Sequence, residues 1–418
     1  MMGGYRNQVI RLLSFCVYAM KNKLEKLLLP SILWATEIEL EDTDGSRKEH
    51  FLPIPHDLLF DVEFWNEQEN DLPKFVDYNE VDGSALPCWS FPKAKELEEA
   101  KKPAEELTVE VLKRGFLTPI ANFSRAVATR DTVINPRRVD KLSEVHEGCG
   151  GNRNNPVAYG GGIAAGRLWN QYTQMQQSGG GIPFQADAKL LQSLRPKREW
   201  RELSMSCVKQ HTTGKGNGGN DSSPSYVALH ARMELEMMVH ACGASMEKNL
   251  TKVFGMLEDL VQTELKAETD VNPTGLFIAV NRGGMEVFEG GGYMKHKANI
   301  DENIATLNKA VKDGGGLLHN RLHVFECGRL LTGQYYEANP HATNLGGLLD
   351  SVVNFYIATE ALAFVGVRGS SYSTDIWTTR FHQGKGRMNF EYTPEGIKRI
   401  PNGGLPPPHH NCKRPRKN

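Results

Sequence analysis

Phosphate-binding residue types follow two of the predicted strands in this 418-residue chain. Arg232 comes shortly after the apolar run at 226–229, and Ser370 and Ser371 come shortly after the run at 363–367. A guanidinium offers phosphate oxygens a planar fork of N–H donors, and serines that begin a helix add hydroxyls and free backbone N–H groups. Ligands of open α/β sheets bind beyond the carboxyl ends of the strands. The two segments therefore predict one diphosphate site.

Both segments also have a structural interpretation that the sequence leaves open. An ion pair with Glu234 or Glu236 accounts for Arg232 equally well. Serines after a strand are more often ordinary helix caps than phosphate ligands. The diphosphate interpretation therefore requires Arg232 and Ser371 to face the same ligand, which only the folded arrangement can show.

Other polar segments are weaker candidates. A third predicted strand ends at Asn281 and Arg282, for which a plain loop is an equal alternative. The glycine-rich stretch at 160–166 does not follow a clear strand, as a dinucleotide-binding turn would. The histidines and cysteines lack the spacing of a zinc site, and no CxxC pair occurs. The sequence thus predicts neither a metal nor a cofactor.

The elements that must position the two phosphate-binding segments follow from the apolar pattern. Strands are expected at 226–230, 275–280, 322–326 and 363–367, and one long helix is expected at 233–265. Apolar strands that alternate with helical stretches are typical of a parallel sheet with helices packed on it. The fold class is therefore predicted to be α/β.

The composition is that of a folded protein without a strong charge field. A chain of 418 residues exceeds the size of a single hydrophobic core, so two domains of about 200 residues each are expected. Its 49 Lys and Arg residues balance 50 Asp and Glu residues, so no overall electrostatic field is expected to attract nucleic acid or anionic lipid. Seven scattered cysteines leave disulfides and the redox compartment open. No segment offers about 18 uncharged apolar residues, so no membrane span is predicted.

The glycine-rich segment at 211–224 is expected to be a flexible loop that separates the domains. We predict an N-terminal domain at 1–210 and a C-terminal domain at 225–401. Residues 402–418 are rich in Pro, Gly and basic side chains and cannot bury apolar area, so a disordered basic tail is expected there.

The N-terminal segment has two interpretations. Apolar residues recur at helical spacing from Val9 to Leu28, with lysines and a glutamate between them, which favours an amphipathic helix. A short secretory h-region at 12–20 is the alternative. The apolar run at 27–34 is a candidate buried strand.

Three ordered motifs give the chain a family resemblance that no single motif would support. They are GGYRNQVIRLL at 3–13, YVALHARMELEM at 226–237 and FVGVRGSSYS at 364–373, and the stretch at 54–67 adds a fourth similarity. Together they resemble the signatures of the GDP-fucose protein O-fucosyltransferase family, including its plant-type members. The resemblance implies a GT-B-like fold of two Rossmann-like domains with a cleft between them.

The resemblance also implies an activity and a set of roles. The activity is metal-independent transfer of fucose, with inversion, from GDP-fucose to a hydroxyl such as that of Ser or Thr in a protein. Arg232 would hold the β-phosphate and stabilise departing GDP. The other implied donor-site residues are His230 beside it, Glu236 where the family usually has Asp, Ser370 and Ser371 on phosphate, Tyr372 as an aromatic wall, and Gly3, Gly4 and Asn7 on the sugar side of the cleft.

The chain departs from the family pattern in ways that bear on function. Asn354 stands where the family usually carries an Asp that reads guanine, and an amide cannot accept two N–H bonds as a carboxylate does. Val367 replaces an Asn of the third motif. No motif identifies a catalytic base, and Asn7 can orient reactants but cannot act as an ordinary base.

The resemblance places such an enzyme in the lumen of the Golgi or the endoplasmic reticulum. Because the first motif already begins at Gly3, we expect that a natural anchor or signal is missing from this chain. Two alternative functions stay open: a fucosyltransferase that acts on a glycan, and a non-catalytic scaffold that binds a GDP-sugar.

Overall fold

The chain divides into two compact units, Met1–Lys197 and Arg198–Asn418, which are described separately. The computed structural model describes residues 9, 13, 16, 26–28, 31–40, 47–55, 59–68, 72–76, 184–212, 225–234, 246–268, 272–282, 285, 296–312, 322–327 and 346–406. The glycine-rich stretch at 160–166 and most of the predicted interdomain loop lie outside these residues.

The first unit contains two small sheets. Strand β1 (Lys26–Leu28) pairs in parallel with β4 (Lys74–Val76), and β2 (Ser31–Leu40) pairs antiparallel with β3 (Arg47–Pro55). Helices α1 (Val62–Glu67) and α2 (Phe184–Ser193) also belong to this unit.

Two predictions for this unit need correction. The apolar run at 27–34 is divided between β1 and β2, which pair with different strands, because Pro30 has no N–H for a continuous ladder. Residues 27 and 28, which the helical spacing included, lie in β1. The helix itself is confirmed where it is described, since residues 9, 13 and 16 are helical and buried.

The second unit is built on one six-stranded sheet. Its strands are β5 (Tyr226–Ala231), β6 (Gly275–Val280), β7 (His323–Phe325), β8 (Ala363–Gly366), β9 (Asn389–Thr393) and β10 (Gly396–Arg399). The order across the sheet is β10-β9-β8-β5-β6-β7, and every pairing is parallel except that of β9 with β10. The predicted α/β class and the four predicted strands are confirmed.

Helices cover both faces of this sheet. They are α3 (Arg198–Thr212), α4 (Leu250–Leu260, continued by a π-turn at Val261–Leu265 and by Lys266–Glu268), α5 (Lys297–Lys312), α6 (Gly346–Glu360) and α7 (Ser371–His382). Along β5, Val227 and Leu229 pack with α4 and α5, whereas Tyr226 and Ala228 pack with α3, α6 and α7. Because both faces are covered, β6 and β8 are apolar along their whole length.

The strand order contains a reversal that creates a place for a ligand. The chain runs from β5 outward to β6 and β7, and then returns to the other side of β5 to form β8 and β9. Strands β5 and β8 are therefore neighbours whose crossovers go in opposite directions. Open α/β sheets bind ligands beyond the carboxyl ends of the strands at such a switch point.

Some predicted boundaries of the second unit are wrong. The helix predicted at 233–265 begins only at Leu250, because the Asn249 side chain caps it by accepting the Lys252 N–H at 3.2 Å. Helix α3 packs with the second unit, although the prediction placed residues 198–210 in the N-terminal domain. Residues 402–406 are ordered, and Asn389 Nδ2 donates to the carbonyl of Gly404 at 3.0 Å. The rest of the predicted tail lies outside the described residues.

A disulfide joins two elements on one face of the sheet. Cys207 of α3 is bonded to Cys327, which follows β7, across 120 residues of sequence. Both cysteines are buried in the apolar cluster that contains α6 and α7. This disulfide resolves a question that the cysteine count had left open.

A buried arginine connects the elements that carry the switch point. The guanidinium of Arg380, in α7, donates to the carbonyls of Thr359 and Leu362 at 3.0 Å each and to Asn389 Oδ1 at 2.8 Å. These carbonyls end α6 and lead into β8, so a cation satisfies the acceptors that a helix leaves unpaired at its C-terminus. Burial lowers the pKa of Arg380 to about 10, which still leaves it charged at neutral pH.

We expect Arg380→Ala to lower the free energy of unfolding by about 3 kcal/mol, because it removes a buried charge and leaves several buried acceptors without donors. Urea denaturation of the purified protein measures the change. The exposed Arg198, which pairs with Glu202 in α3, provides the control, and Arg198→Ala should leave the midpoint unchanged. Equal midpoints for the two variants would contradict this role of Arg380.

Candidate functional site

The turn between β8 and α7 presents the start of a helix at the switch point. Gly369 has a φ of +84°, a left-handed conformation that favours glycine, and Ser370 then caps the helix. The Ser370 hydroxyl accepts the N–H of Ser373 at 3.5 Å. Ser371 is the first residue of α7, so the positive end of the helix dipole lies here. The predicted strand, glycine turn and serine cap are confirmed as structure.

The close packing of α7 against β8 depends on Gly366. A Cβ at this position would lie 2.7 Å from Ser373 Oγ and 2.9 Å from the Trp377 ring. Such distances are far below van der Waals contact, so any side chain would push α7 away from the strand. The glycine therefore sets how deeply the start of the helix sits at the end of the sheet.

Arg232 reaches this helix start from the neighbouring strand. It directly follows β5, and its Nη1 donates to Ser370 Oγ at 3.3 Å. The two residues are 138 positions apart in sequence. The structure therefore brings Arg232 to Ser370, the residue before Ser371, so the two predicted segments meet at the start of α7. A diphosphate shared by Arg232 and Ser371 stays a prediction.

Arg232 also forms the ion pair that the sequence offered as an alternative. Its Nε contacts Glu234 Oε1, and the Glu234 side chain is only 4% exposed. A guanidinium carries five N–H groups, which is more than the contacts with Glu234 and Ser370 require. The ion-pair interpretation is therefore confirmed, and Glu234 holds the cation in place beside the helix start. Binding of a diphosphate by Arg232 stays a prediction.

A tyrosine from β9 holds the backbone at this point. The Tyr392 hydroxyl accepts the N–H of Arg232 at 3.2 Å. Burial raises the pKa of Tyr392, so its phenol stays neutral. The end of β5 is therefore held by an element two strands away in the sheet.

His230, in β5, reaches the same helix start as Arg232, because its ring contacts Ser373 and the Arg232 guanidinium contacts Ser370. It is 7% exposed, and its Nδ1 lies 2.7 Å from Ser373 Oγ. Burial, and then the neighbouring charge of Arg232, hold the pKa of His230 well below its usual range. The imidazole is therefore neutral and acts only through hydrogen bonds.

Aromatic rings line the next part of the site. The Tyr372 ring lies 4.7 Å from that of His230 and 5.8 Å from that of Phe355, measured between centroids. The Tyr372 hydroxyl donates to the carbonyl of Ser351 in α6 at 3.2 Å. These contacts connect the start of α7 with the middle of α6.

Asn354 lies on α6, next in sequence to Phe355. Its side-chain Oδ1 is buried, and no described residue donates a hydrogen bond to it. A buried acceptor without a donor is costly and commonly marks a place for a ligand or a water. The amide thus has unused hydrogen-bonding capacity in the part of α6 that borders Tyr372.

The remaining predicted site residues lie elsewhere. Gly3, Gly4, Asn7 and Glu236 fall outside the described residues. The third predicted strand end is a structural crosslink, because the Arg282 side chain donates to Glu326 and Asn308 rather than standing free.

Sequence reasoning missed two residues that contact the candidate site, Ser373 and Tyr392. Ser373 was quoted only as part of a motif, although its place three residues after the cap could have marked it. Tyr392 carried no signal in the sequence, since only the sheet order brings β9 near β5.

Two further features concern metals and membranes. Among the described residues, no group of three or more His, Cys, Asp or Glu side chains could hold a metal ion. In the same part of the chain, none of the helices combines the length and apolar character needed to cross a membrane. Metal independence stays a prediction.

No protein-family model matches the chain, and no curated protein matches it. Among solved structures, it is similar to POFUT1 in complex with GDP-fucose, at 13% identity and a TM-score of 0.44, over 94% of this chain and 95% of that chain. It is also similar to POFUT1 in complex with GDP, at 14% identity and a TM-score of 0.40, over 94% of this chain and 96% of that chain. NodZ α-1,6-fucosyltransferase soaked with GDP-fucose is similar at 9% identity and a TM-score of 0.28, over 52% of this chain and 53% of that chain.

The site predicts binding of inorganic pyrophosphate. We expect Arg232→Gln to weaken this binding at least about tenfold, because it removes the charge-assisted hydrogen bonds to the anion. Arg282→Gln, at the other strand end, should leave the affinity unchanged, since Arg282 is tied to Glu326. Isothermal titration calorimetry measures both, and equal losses in the two variants would contradict the assignment.

Proposed function

We propose that this protein is a glycosyltransferase that binds GDP-fucose and transfers fucose to a hydroxyl group, that of Ser or Thr in a protein. The observation that supports it is the 3.3 Å contact between Arg232 Nη1 and Ser370 Oγ. It places a cation and a helix start around one point at the switch of the sheet, where a diphosphate would be neutralised from two sides. The resemblance of the three sequence motifs to O-fucosyltransferase signatures supports GDP-fucose as the ligand that carries this diphosphate.

The chemistry would be an inverting displacement. The acceptor oxygen bonds to the anomeric carbon from the face opposite the diphosphate, while the bond from that carbon to the β-phosphate oxygen breaks. The electron pair leaves with GDP, and the acceptor proton passes to a base. Each donor aimed at the developing phosphate charge lowers the barrier by about 3 kcal/mol. Arg232, the Ser370 and Ser371 hydroxyls and the start of α7 are the proposed donors, and no metal is required.

The remaining residues have proposed roles around the same ligand. Glu234 orients the Arg232 guanidinium, and Tyr372 forms a wall beside the nucleotide or fucose. From the family resemblance, the proposed role of Gly3, Gly4 and Asn7 is to bind the sugar of the donor, and Glu236 has the acidic position of the second motif.

Asn354 is the proposed reader of the base. Its amide can accept the guanine N1–H and donate to O6, whereas it lacks the second acceptor that the 2-amino group needs.

The disulfide supports a proposal for the compartment in which the protein works. The bond between Cys207 and Cys327 is typical of proteins that fold in an oxidising environment. We therefore propose that the protein works in the lumen of the Golgi or the endoplasmic reticulum.

A non-catalytic GDP-sugar-binding scaffold is the second candidate. The contact of Arg232 with Glu234 favours it, because an ion-paired guanidinium is partly neutralised before any ligand arrives. The two candidates share the binding site and differ in turnover, so binding of GDP-fucose without release of GDP would identify the scaffold. A glycan acceptor instead of a protein changes neither prediction below.

We expect Arg232→Ala to abolish release of GDP from GDP-fucose in the presence of peptide or glycan acceptors, because departing GDP loses its main cation. A coupled nucleotide-release assay measures turnover, and circular dichroism checks that the fold is intact. Arg282→Ala is the matched control and should retain turnover. Unchanged turnover of Arg232→Ala would show that the arginine serves only its pair with Glu234.

Base recognition can be tested by comparing GDP with inosine diphosphate, which lacks the 2-amino group. The wild-type amide of Asn354 uses N1–H and O6, which both ligands have, so their affinities should be similar. In Asn354→Asp a carboxylate accepts from N1–H and the 2-amino group, and GDP should bind about tenfold more tightly than inosine diphosphate. Asn308→Asp, on α5, is the control and should not discriminate. Calorimetry that gives the same ratio for both variants would exclude Asn354 from the base site.

A further inference from the structure

The hydrogen bonds of Ser373 determine which nitrogen of His230 carries the proton. Ser373 Oγ accepts the backbone N–H of Val367 at 3.1 Å and lies 2.7 Å from His230 Nδ1. A serine hydroxyl has one proton to donate. Among the described residues, His230 Nδ1 is the only acceptor that the Ser373 hydroxyl proton can reach.

This arrangement excludes the other tautomer by its cost. If Nδ1 carried the proton and donated it to Ser373, the buried serine would accept two hydrogen bonds and leave its own proton without a partner. Ser373 is fully buried, so that loss would not be compensated by water. The serine cannot rotate away easily, because Gly366 and the N–H of Val367 confine it on the strand side.

The consequence lies at the opposite nitrogen. With Nδ1 as the acceptor, Nε2 carries the proton and becomes a hydrogen-bond donor. His230 Nε2 has no partner among the described residues. The ring is flanked by Arg232 two residues along the strand and by Tyr372 at 4.7 Å. A neutral N–H donor therefore stands beside the cation of the diphosphate site.

We propose that Ser373 is a positioning residue that holds neutral His230 in the Nε2–H tautomer, so that Nε2 donates a hydrogen bond to the diphosphate ligand of the Arg232–Ser370 site. The ligand part rests on the proposed function, whereas the tautomer is a property of the free protein. A neutral donor adds directionality without a second charge next to Arg232, which burial would make costly.

The tautomer can be measured directly in the ligand-free protein. The ¹⁵N chemical shifts of labelled histidine rings distinguish Nε2–H from Nδ1–H, and loss of one ring's signals in His230→Gln assigns them. We expect Nε2–H in the wild type and a mixture of tautomers in Ser373→Ala. Ser204→Ala is the matched control, because Ser204 is also a fully buried serine of this unit but donates to the carbonyl of Trp200. An Nδ1–H wild type overturns the proposal.

Binding of GDP tests the ligand part by calorimetry. A Gln amide at position 230 places a donor near Nε2, and an Asn amide places one near Nδ1. We therefore expect His230→Asn and Ser373→Ala to bind GDP about tenfold more weakly than the wild type, and His230→Gln to lose less.

The outcomes separate this inference from the proposed function. Equal affinities of Ser373→Ala and Ser204→Ala, or of His230→Gln and His230→Asn, would overturn the role of the tautomer in binding. Failure of the wild type to bind GDP would instead overturn the proposed function and the ligand part with it, while the ¹⁵N spectrum still decides the tautomer.

Discussion

The geometry of the candidate site depends on a buried cation, Arg380, which lies at the opposite end of α7. Arg380 donates to the carbonyls that end α6 and to the side chain that begins β9, from a position in α7. Because a guanidinium is planar and rigid, its partners can occupy only one arrangement. That arrangement fixes α6, α7 and the entry to β8 as one body. The serine cap at the other end of α7 is therefore placed accurately beside the end of β5.

Once α7 is placed, the short-range contacts of the site depend on a glycine in β8 and on the alternation of side chains along β5. Gly366 allows α7 to approach β8, and the alternation of side chains along β5 turns His230 toward α7. Arg232 reaches α7 from just beyond the end of β5. The result is a graded set of donors: one charged, one neutral and several from the helix start. A leaving diphosphate needs such a set in advance, because donors that must reorganise lose most of their effect.

Much of this could be predicted from the sequence, and the failures have identifiable physical causes. Uninterrupted apolar runs revealed β5, β6 and β8, and a glycine followed by serines revealed the start of α7. The start of α4 was missed, because the spacing of apolar residues gives no information about the polar cap at Asn249. The partner of His230 lies 143 residues away, and no local pattern encodes such a pair. Arg282 resembled a ligand-binding arginine because its partner, Glu326, belongs to another strand end.

The disulfide divides the site between two topologically different parts of the chain. The bond between Cys207 and Cys327 closes a covalent ring that includes β5, β6 and Arg232, whereas β8 and the serine cap lie outside it. Arg232 is thus carried on the part of the chain that the disulfide closes into a ring. The start of α7 belongs to the chain outside this ring and must pack against the ring to complete the site. During synthesis, the ring can close before the second half has emerged, so oxidation and completion of the site are separable events.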